Sequence, residues 1–162
     1  MSDDPAGLGS PGGGASQRLE GGPGPRVLER LDERECLQLI GAGRLGRLAY
    51  TGRYGPTVLP VLYKLHQKSI VFRTIQDTFT EEDLRTGIAH AEYQVAFEVD
   101  QYDPETLDGW VVLVVGPAHH LDTEAERAPI ISAADDPWPE AESEHLVRVQ
   151  PTRISGRRRR QP

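Results

Sequence analysis

The chain has one cysteine, one methionine, two tryptophans and three phenylalanines in 162 residues. The lone Cys36 excludes an internal disulfide and fits a reducing cytoplasm. No run of about 18 apolar residues exists, so no helical membrane span is expected. The N-terminal residues lack a basic stretch followed by an apolar one, so nothing suggests export, and the expectation is a cytoplasmic protein. Cations are also scarce, with 18 Lys and Arg against 25 Asp and Glu and a net charge of -7. That balance argues for solubility and against nucleic-acid binding. Between Thr80 and Leu146 the only Lys or Arg residues are Arg85 and Arg127, so an anionic ligand must be met by flanking residues or by Arg85. Metal-ligand spacing is missing too. His66, His90 and His145 stand apart, and the adjacent His119 and His120 point to opposite faces of a strand.

The length is that of one domain able to bury a real core. Residues 1–26 are dominated by Gly, Pro, Ser and Ala and cannot bury enough surface to offset ordering, so they are expected to form a disordered tail. The Gly12-Gly13-Gly14 run is no phosphate loop, because no strand precedes it and no Gly-Lys-Ser/Thr closes it.

What is present centres on residues 95–118. Val95, Phe97 and Val99 alternate with Ala96, Glu98 and Asp100, as in a strand with one face in a core. A turn over residues 102–109 leads to Trp110-Val111-Val112-Leu113-Val114-Val115, which is apolar on both faces and rich in β-branched residues. A small closed sheet covers only its inner face. The outer face needs a packed helix or a second copy of the chain.

Upstream, Asp32 and Glu35 form a capping-box pattern, and Cys36, Leu37, Leu39 and Ile40 share a helical face that ends at Gly41 and Gly43. On that face, beside Glu33 and Glu35, Cys36 reads as a packed core thiol. Strands over residues 45–50 and 57–65 flank the turn Gly52-Arg53-Tyr54-Gly55-Pro56 and make a hairpin. Pro60 cannot donate a ladder hydrogen bond, so its strand has an edge or bulge there, open to a flat ligand or simply at a barrel rim. A strand over residues 69–74 ends in Arg73-Thr74, expected side by side at a rim and suited either to a phosphate or to a surface ion pair.

Thr80 with Glu81, Glu82 and Asp83 starts a helix expected to reach about residue 90. Gly116-Pro117 ends or bends the long strand, and a short helix comes next, from residue 122 or 123 to about 133. Trp138, between two prolines, is a structural plug or stacks near a ligand. One last strand is expected from Leu146 to Ile154, and then a basic tail over residues 157–162, either a solvated end or a holder of a polyanionic tail. Strands outnumber helices and come as hairpins, which argues for an antiparallel barrel with a few helices.

Taken in order, several segments resemble one family. They are the helix ending Glu35-Cys36-Leu37-Gln38-Leu39-Ile40, Gly46-Arg47-Leu48-Ala49, Pro60-Val61-Leu62-Tyr63, Val71-Phe72-Arg73-Thr74, residues 95–100, Gly109-Trp110, Pro137-Trp138 and Ile154-Ser155-Gly156-Arg157-Arg158. The chain from residue 27 to 158 is similar to the pyridoxamine 5'-phosphate oxidase-like, FMN-binding split-barrel proteins, in particular their actinobacterial branch. The resemblance implies a six-stranded antiparallel split β-barrel with a few short helices over residues 27–156, assembled as a homodimer with flavin sites at the interface. It places the flavin ring on the backbone of Pro60, Val61, Leu62 and Tyr63, with Trp110 at the site. It places the phosphate on Arg73 and Thr74 and on a following Gly-Ser/Thr-Lys segment, of which this chain keeps Thr78.

The chain departs from that pattern. Asp77 stands where Gly is usual, Phe79 where the phosphate Lys is usual, Val111 where a Ser is common and Val115 where a basic residue is common. A charge-assisted hydrogen bond to phosphate is worth roughly 1.5 to 3 kcal/mol, so losing that Lys alone weakens FMN by about 10- to 150-fold. Arg85 can replace the lost cation, or the ligand has changed to the deazaflavin F420, whose polyglutamate tail would meet residues 157–160. The resemblance thus implies an FMN-binding oxidoreductase moving a hydride to a small organic substrate. Its alternatives are an F420 reductase and a non-enzymatic barrel that no longer holds FMN tightly. Pyridoxamine phosphate oxidation itself is disfavoured, since its substrate brings a second phosphate to a surface short of cations.

Overall fold

The computed structural model describes residues 27–43, 45–75, 79–84, 93–131 and 144–160. Strand β1 (Val27–Leu31) leads into helix α1 (Glu33–Gly41), and then come β2 (Leu45–Gly52), β3 (Gly55–His66) and β4 (Ser69–Ile75). After α2 (Phe79–Leu84) come β5 (Tyr93–Tyr102), β6 (Gly109–His120), α3 (Glu124–Ile131), β7 (Glu144–Val149) and β8 (Arg153–Arg160).

The capping box forms as its residues dictate. The Glu35 N–H donates to Asp32 Oδ1 at 2.8 Å, and the Asp32 N–H donates to Glu35 Oε2 at 2.9 Å. The hairpin closes with Gly52 opposite Gly55, where φ is +102° and only glycine sits without strain.

All pairings are antiparallel, and β6, β5, β2, β3, β4 and β7 close into a six-stranded barrel when β7 meets β6. β6 serves two partners in succession. Its residues from Gly109 to Val115 pair with β8, whereas Ala118, His119 and His120 pair with β7. The link between those partners crosses β6 at Gly116-Pro117, where the Gln150 N–H donates to the Pro117 carbonyl and the Thr152 N–H to the Val115 carbonyl, both at 2.9 Å. A Cβ at residue 116 would run into the Gln150 carbonyl, so glycine is required by close approach.

The structure therefore corrects three sequence expectations. Residues 146–154 are not one strand, because Gln150, Pro151 and Thr152 carry the chain from β7 to β8. The basic tail is not a tail, because Arg157, Arg158, Arg159 and Arg160 belong to β8, laddered to β6 on one side and to β1 on the other. β1 itself was not expected. Residues 1–26 and the stretch containing Trp138 lie outside the described residues. α2 is described to Leu84, and residues 85–92, where the helix was expected to continue to about residue 90, lie outside the described residues as well.

Inside the barrel, Tyr63, Phe72 and Phe97 pack together, with Tyr63 edge-on to Phe97 at 5.1 Å and Phe72 stacked on Phe97 at 6.3 Å. α1 adds Cys36 and Ile40 to the same core. A second cluster joins Val71, Leu146, Leu121 and Ile130, so α3 covers the other face of β4 and β7.

Candidate functional site

β3 is bonded to β2 along its length from Gly55 to Leu62 but to β4 only from Tyr63 onward, where Tyr63 faces Phe72. Among the described residues, no strand pairs with Gly55 through Leu62 on the side away from β2. An open backbone edge results, and Pro60 sits in it opposite Arg47. Alternation turns Leu59 and Val61 toward the core and Val58, Pro60 and Leu62 outward. Tyr63 stands where the edge closes, paired with Phe72 of β4. Its ring is fully buried and its hydroxyl donates to the Ile40 carbonyl at 2.6 Å, with burial pushing the phenol well above its ordinary value.

Arg73 and Thr74 lie on the neighbouring strand but not side by side. Thr74 is buried on the core side and donates to the His145 carbonyl at 3.5 Å, whereas Arg73, half-buried opposite Leu146, faces the other way. Successive strand residues alternate faces, and that rule overrides their adjacency in sequence. Thr78 and Arg85, with Asp77, lie outside the described residues, as does the side chain of Phe79.

Trp110 is remote from this edge within the chain. It lies on β6, with β5 and β2 between it and β3, and pairs with Gln101 and Arg158. One chain thus brings the β3 edge and the end of β4 together but leaves Trp110 elsewhere.

Between them runs an outward face. Val112 and Val114 are fully buried in the core, while Val111, Leu113 and Val115 point outward and are half-buried. The strands beside them continue the face through Ala96, Ala49, Val58 and Leu62. α1 meets β6 on the core side and α3 packs on β4 and β7, so neither covers this surface. At its middle Arg47 donates to Glu98 at 2.8 Å and to Asp100 at 2.5 Å. The sequence reading missed that cluster. The signal was present, since Glu98 and Asp100 are two residues apart on a strand and share its outward side.

Cys36 is fully buried, and burial, then Asp32 and Glu35, push its thiol up, so it is chemically inert in the folded protein. Among the described residues no group of His, Cys, Asp and Glu is arranged to hold a metal, and no helix is long and apolar enough to cross a membrane. The donor set fits a flat ring at the β3 edge. It offers a phosphate less than the resemblance implied, because Arg73 and Thr74 diverge.

Residues 32–158 match the family model described as pyridoxamine 5'-phosphate oxidase. The FAD binding protein from Mycobacterium smegmatis is 32% identical with a TM-score of 0.67, covering 82% of this chain and 100% of its own. A FAD-binding protein from Mesorhizobium loti, 21% identical with a TM-score of 0.65, covers 84% of this chain and 99% of its own and shares the fold. An uncharacterized protein of Mycobacterium tuberculosis is 28% identical over 81% of this chain and 85% of its own. The chain belongs to the pyridoxamine 5'-phosphate oxidase-like family of split-barrel proteins.

Proposed function

We propose that this chain is a cytoplasmic, homodimeric flavin-binding oxidoreductase that takes FMN at the β3 edge and transfers a hydride to a small organic substrate. The observation that carries the reading is the backbone of Pro60 and Val61, which no described strand pairs on the side away from β2 and which lies at the rim of a half-buried apolar face. Flat aromatic rings bind where a backbone edge supplies hydrogen bonds and apolar side chains supply a floor. The Mycobacterium smegmatis relative binds FAD, a flavin nucleotide, and so supports the same chemistry.

A bound flavin supplies the hydride-transfer chemistry, and the protein supplies placement and electrostatics. Val61 and Leu59 hold the edge in position by packing on the core, and Tyr63 anchors the strand to α1. Arg73 brings one cation to the end of the neighbouring strand. A second copy of the chain on the outward face would bury Val111, Leu113 and Val115, whereas Trp110 shares the opposite side of β6 with Val112 and packs against the core.

A different reading, a barrel that binds partners without a tight flavin, is favoured by one observation: Arg73 and Thr74 point to opposite faces. Denaturing the purified protein and identifying the released small molecule separates the two. FMN or another flavin supports the oxidoreductase. Colourless protein that takes up neither FMN nor F420 supports the module. Phe79→Lys restores the usual cation and is expected to tighten FMN at least about tenfold, with Arg85→Ala loosening it if Arg85 now holds the phosphate. No change in either titration would move the phosphate away from this segment.

A further inference from the structure

The outward face of β6 carries a charge pattern as well as apolar side chains. Directly opposed residues of neighbouring strands share a face, so the register sets Arg157 of β8 on one side of Val111 and Asp100 of β5 on the other. Ser155, Leu113 and Glu98 form the next row, and Arg153, Val115 and Ala96 the one after. Cations therefore lie on the β8 side of the apolar strip and carboxylates on the β5 side.

Neither group of charges is balanced within the chain. Arg153 and Arg157 are exposed and make no ion pair among the described residues. Arg158 turns to the other face, where it lies 3.9 Å from both Glu29 and Glu35. Glu98 and Asp100 share the one guanidinium of Arg47, so that cluster keeps a negative charge in excess. The face is apolar beyond the strip too, since Leu28, Leu45, Val58 and Tyr102 are exposed and fall on it by register. Exposed apolar surface of this extent marks a protein contact.

The charges choose between two ways of laying this face on itself. When two copies of one sheet pack aligned, the two-fold axis lies between them and runs either across the strands or along them. An axis across the strands puts β8 on β8 and sets Arg157 of one copy against Arg153 of the other. An axis along β6 instead puts β8 on the partner's β5, so that Arg157 falls opposite Asp100 while Leu113 meets Leu113. We infer that two copies of this chain meet through the outward face of β6, with the two-fold axis along that strand and Arg157 of each copy ion-paired to Asp100 of the other. This pairing rests on the homodimeric reading above and fixes its axis. Opposite charges so placed set the register of an interface more than its affinity.

Sedimentation equilibrium of the full chain at low salt tests the pairing with Arg157→Glu and Asp100→Arg, each alone and then mixed in equal amounts. Symmetry repeats each contact twice per dimer. Arg157→Glu alone sets carboxylates against carboxylates, and Asp100→Arg alone sets guanidinium groups against guanidinium groups. Each is expected to raise the dimer dissociation constant at least about tenfold. In a mixed dimer both contacts again join opposite charges, so mixing is expected to recover most of that loss, with a fluorescent label on one variant reporting the mixed species. Thermal unfolding of each variant checks that the fold is intact. The unaltered chain offers a test without substitution, since about 1 M NaCl cuts the Debye length to roughly 3 Å and should raise its dissociation constant several-fold. A dimeric unaltered chain whose variants associate as tightly as it does, or gain nothing on mixing, overturns the axis and the ion pair and leaves the homodimer standing. A chain that is monomeric at every salt concentration removes the homodimeric reading itself, and the pairing with it.

Discussion

The Tyr63 hydroxyl donates to the Ile40 carbonyl at 2.6 Å and so fastens β3 to the last turn of α1. The carbonyl also accepts from the Gly43 N–H at 3.2 Å, so two donors converge where the helix stops. Tyr63→Phe removes the stronger of the two and leaves the ring against Phe97 in place. The expected cost is about 1 kcal/mol, read as a lower urea midpoint at unchanged slope. A loss above about 3 kcal/mol would mean that the core had also rearranged.

Gly116 permits the Gln150 carbonyl to approach where the chain crosses β6 from β7 to β8. Gly116→Ala places a methyl group on that oxygen, and the link between β7 and β8 must shift. Overpacking of this kind costs about 1–3 kcal/mol, and the crossover should open first in hydrogen exchange at Gln150 and Thr152. Protection at those two amides equal to that of the unaltered chain would place the strain elsewhere.

Much of this fold is legible in the sequence because each segment obeys one local rule. Asp32 and Glu35 cap α1, Gly52 and Gly55 close a hairpin, and Val95, Phe97 and Val99 take alternate positions that the core claims. The failures share a cause: the deciding partner lies far away in the chain. Four arginines show no apolar alternation, and they form a strand because β6 and β1 offer ladders on both sides. Leu146 to Ile154 looks continuous until the closure at Gly116 forces a crossing. An edge at Pro60 was readable because proline cannot donate to a ladder, while its extent depends on β4, which pairs only with Tyr63 through His66. The placement of Arg73 against Thr74 obeys strand alternation, and sequence adjacency misrepresented it.

Acid should weaken the β5–β6 turn. Thr106 and Glu105 backbone N–H groups hold the Asp103 carboxyl below its ordinary 3.8, so the folded state favours the ionised form. A carboxylate depressed in the folded state contributes stability above its ordinary value and loses it as pH falls through the lower folded value. Asp103→Asn keeps the acceptor oxygen and removes the charge. The unaltered chain is expected to be the more stable at pH 7, with the difference closing as pH drops below 3.8. Glu126, also held low by Thr123, carries a separate acid sensitivity that the variant retains. A difference that stays constant with pH would show that the charge of Asp103 contributes nothing.

Leu113 tests the pairing of subunits. It points outward between Glu98 on β5 and Ser155 on β8, half-buried in a face that no described helix covers. In a lone chain Leu113→Glu adds one carboxylate at a partly wet surface, and surface substitutions of this kind change stability by about 0.5 kcal/mol or less. Beneath a second subunit the same carboxylate is buried beside Glu98 without a cation of its own, since Arg47 already serves Glu98 and Asp100. Such a charge costs about 3 kcal/mol or more, so the dimer dissociation constant should rise at least about 100-fold. Sedimentation equilibrium of both proteins reads that ratio directly. An unaltered chain that sediments as a monomer would remove the interface; a dimer indifferent to Leu113→Glu would place the contact on another face.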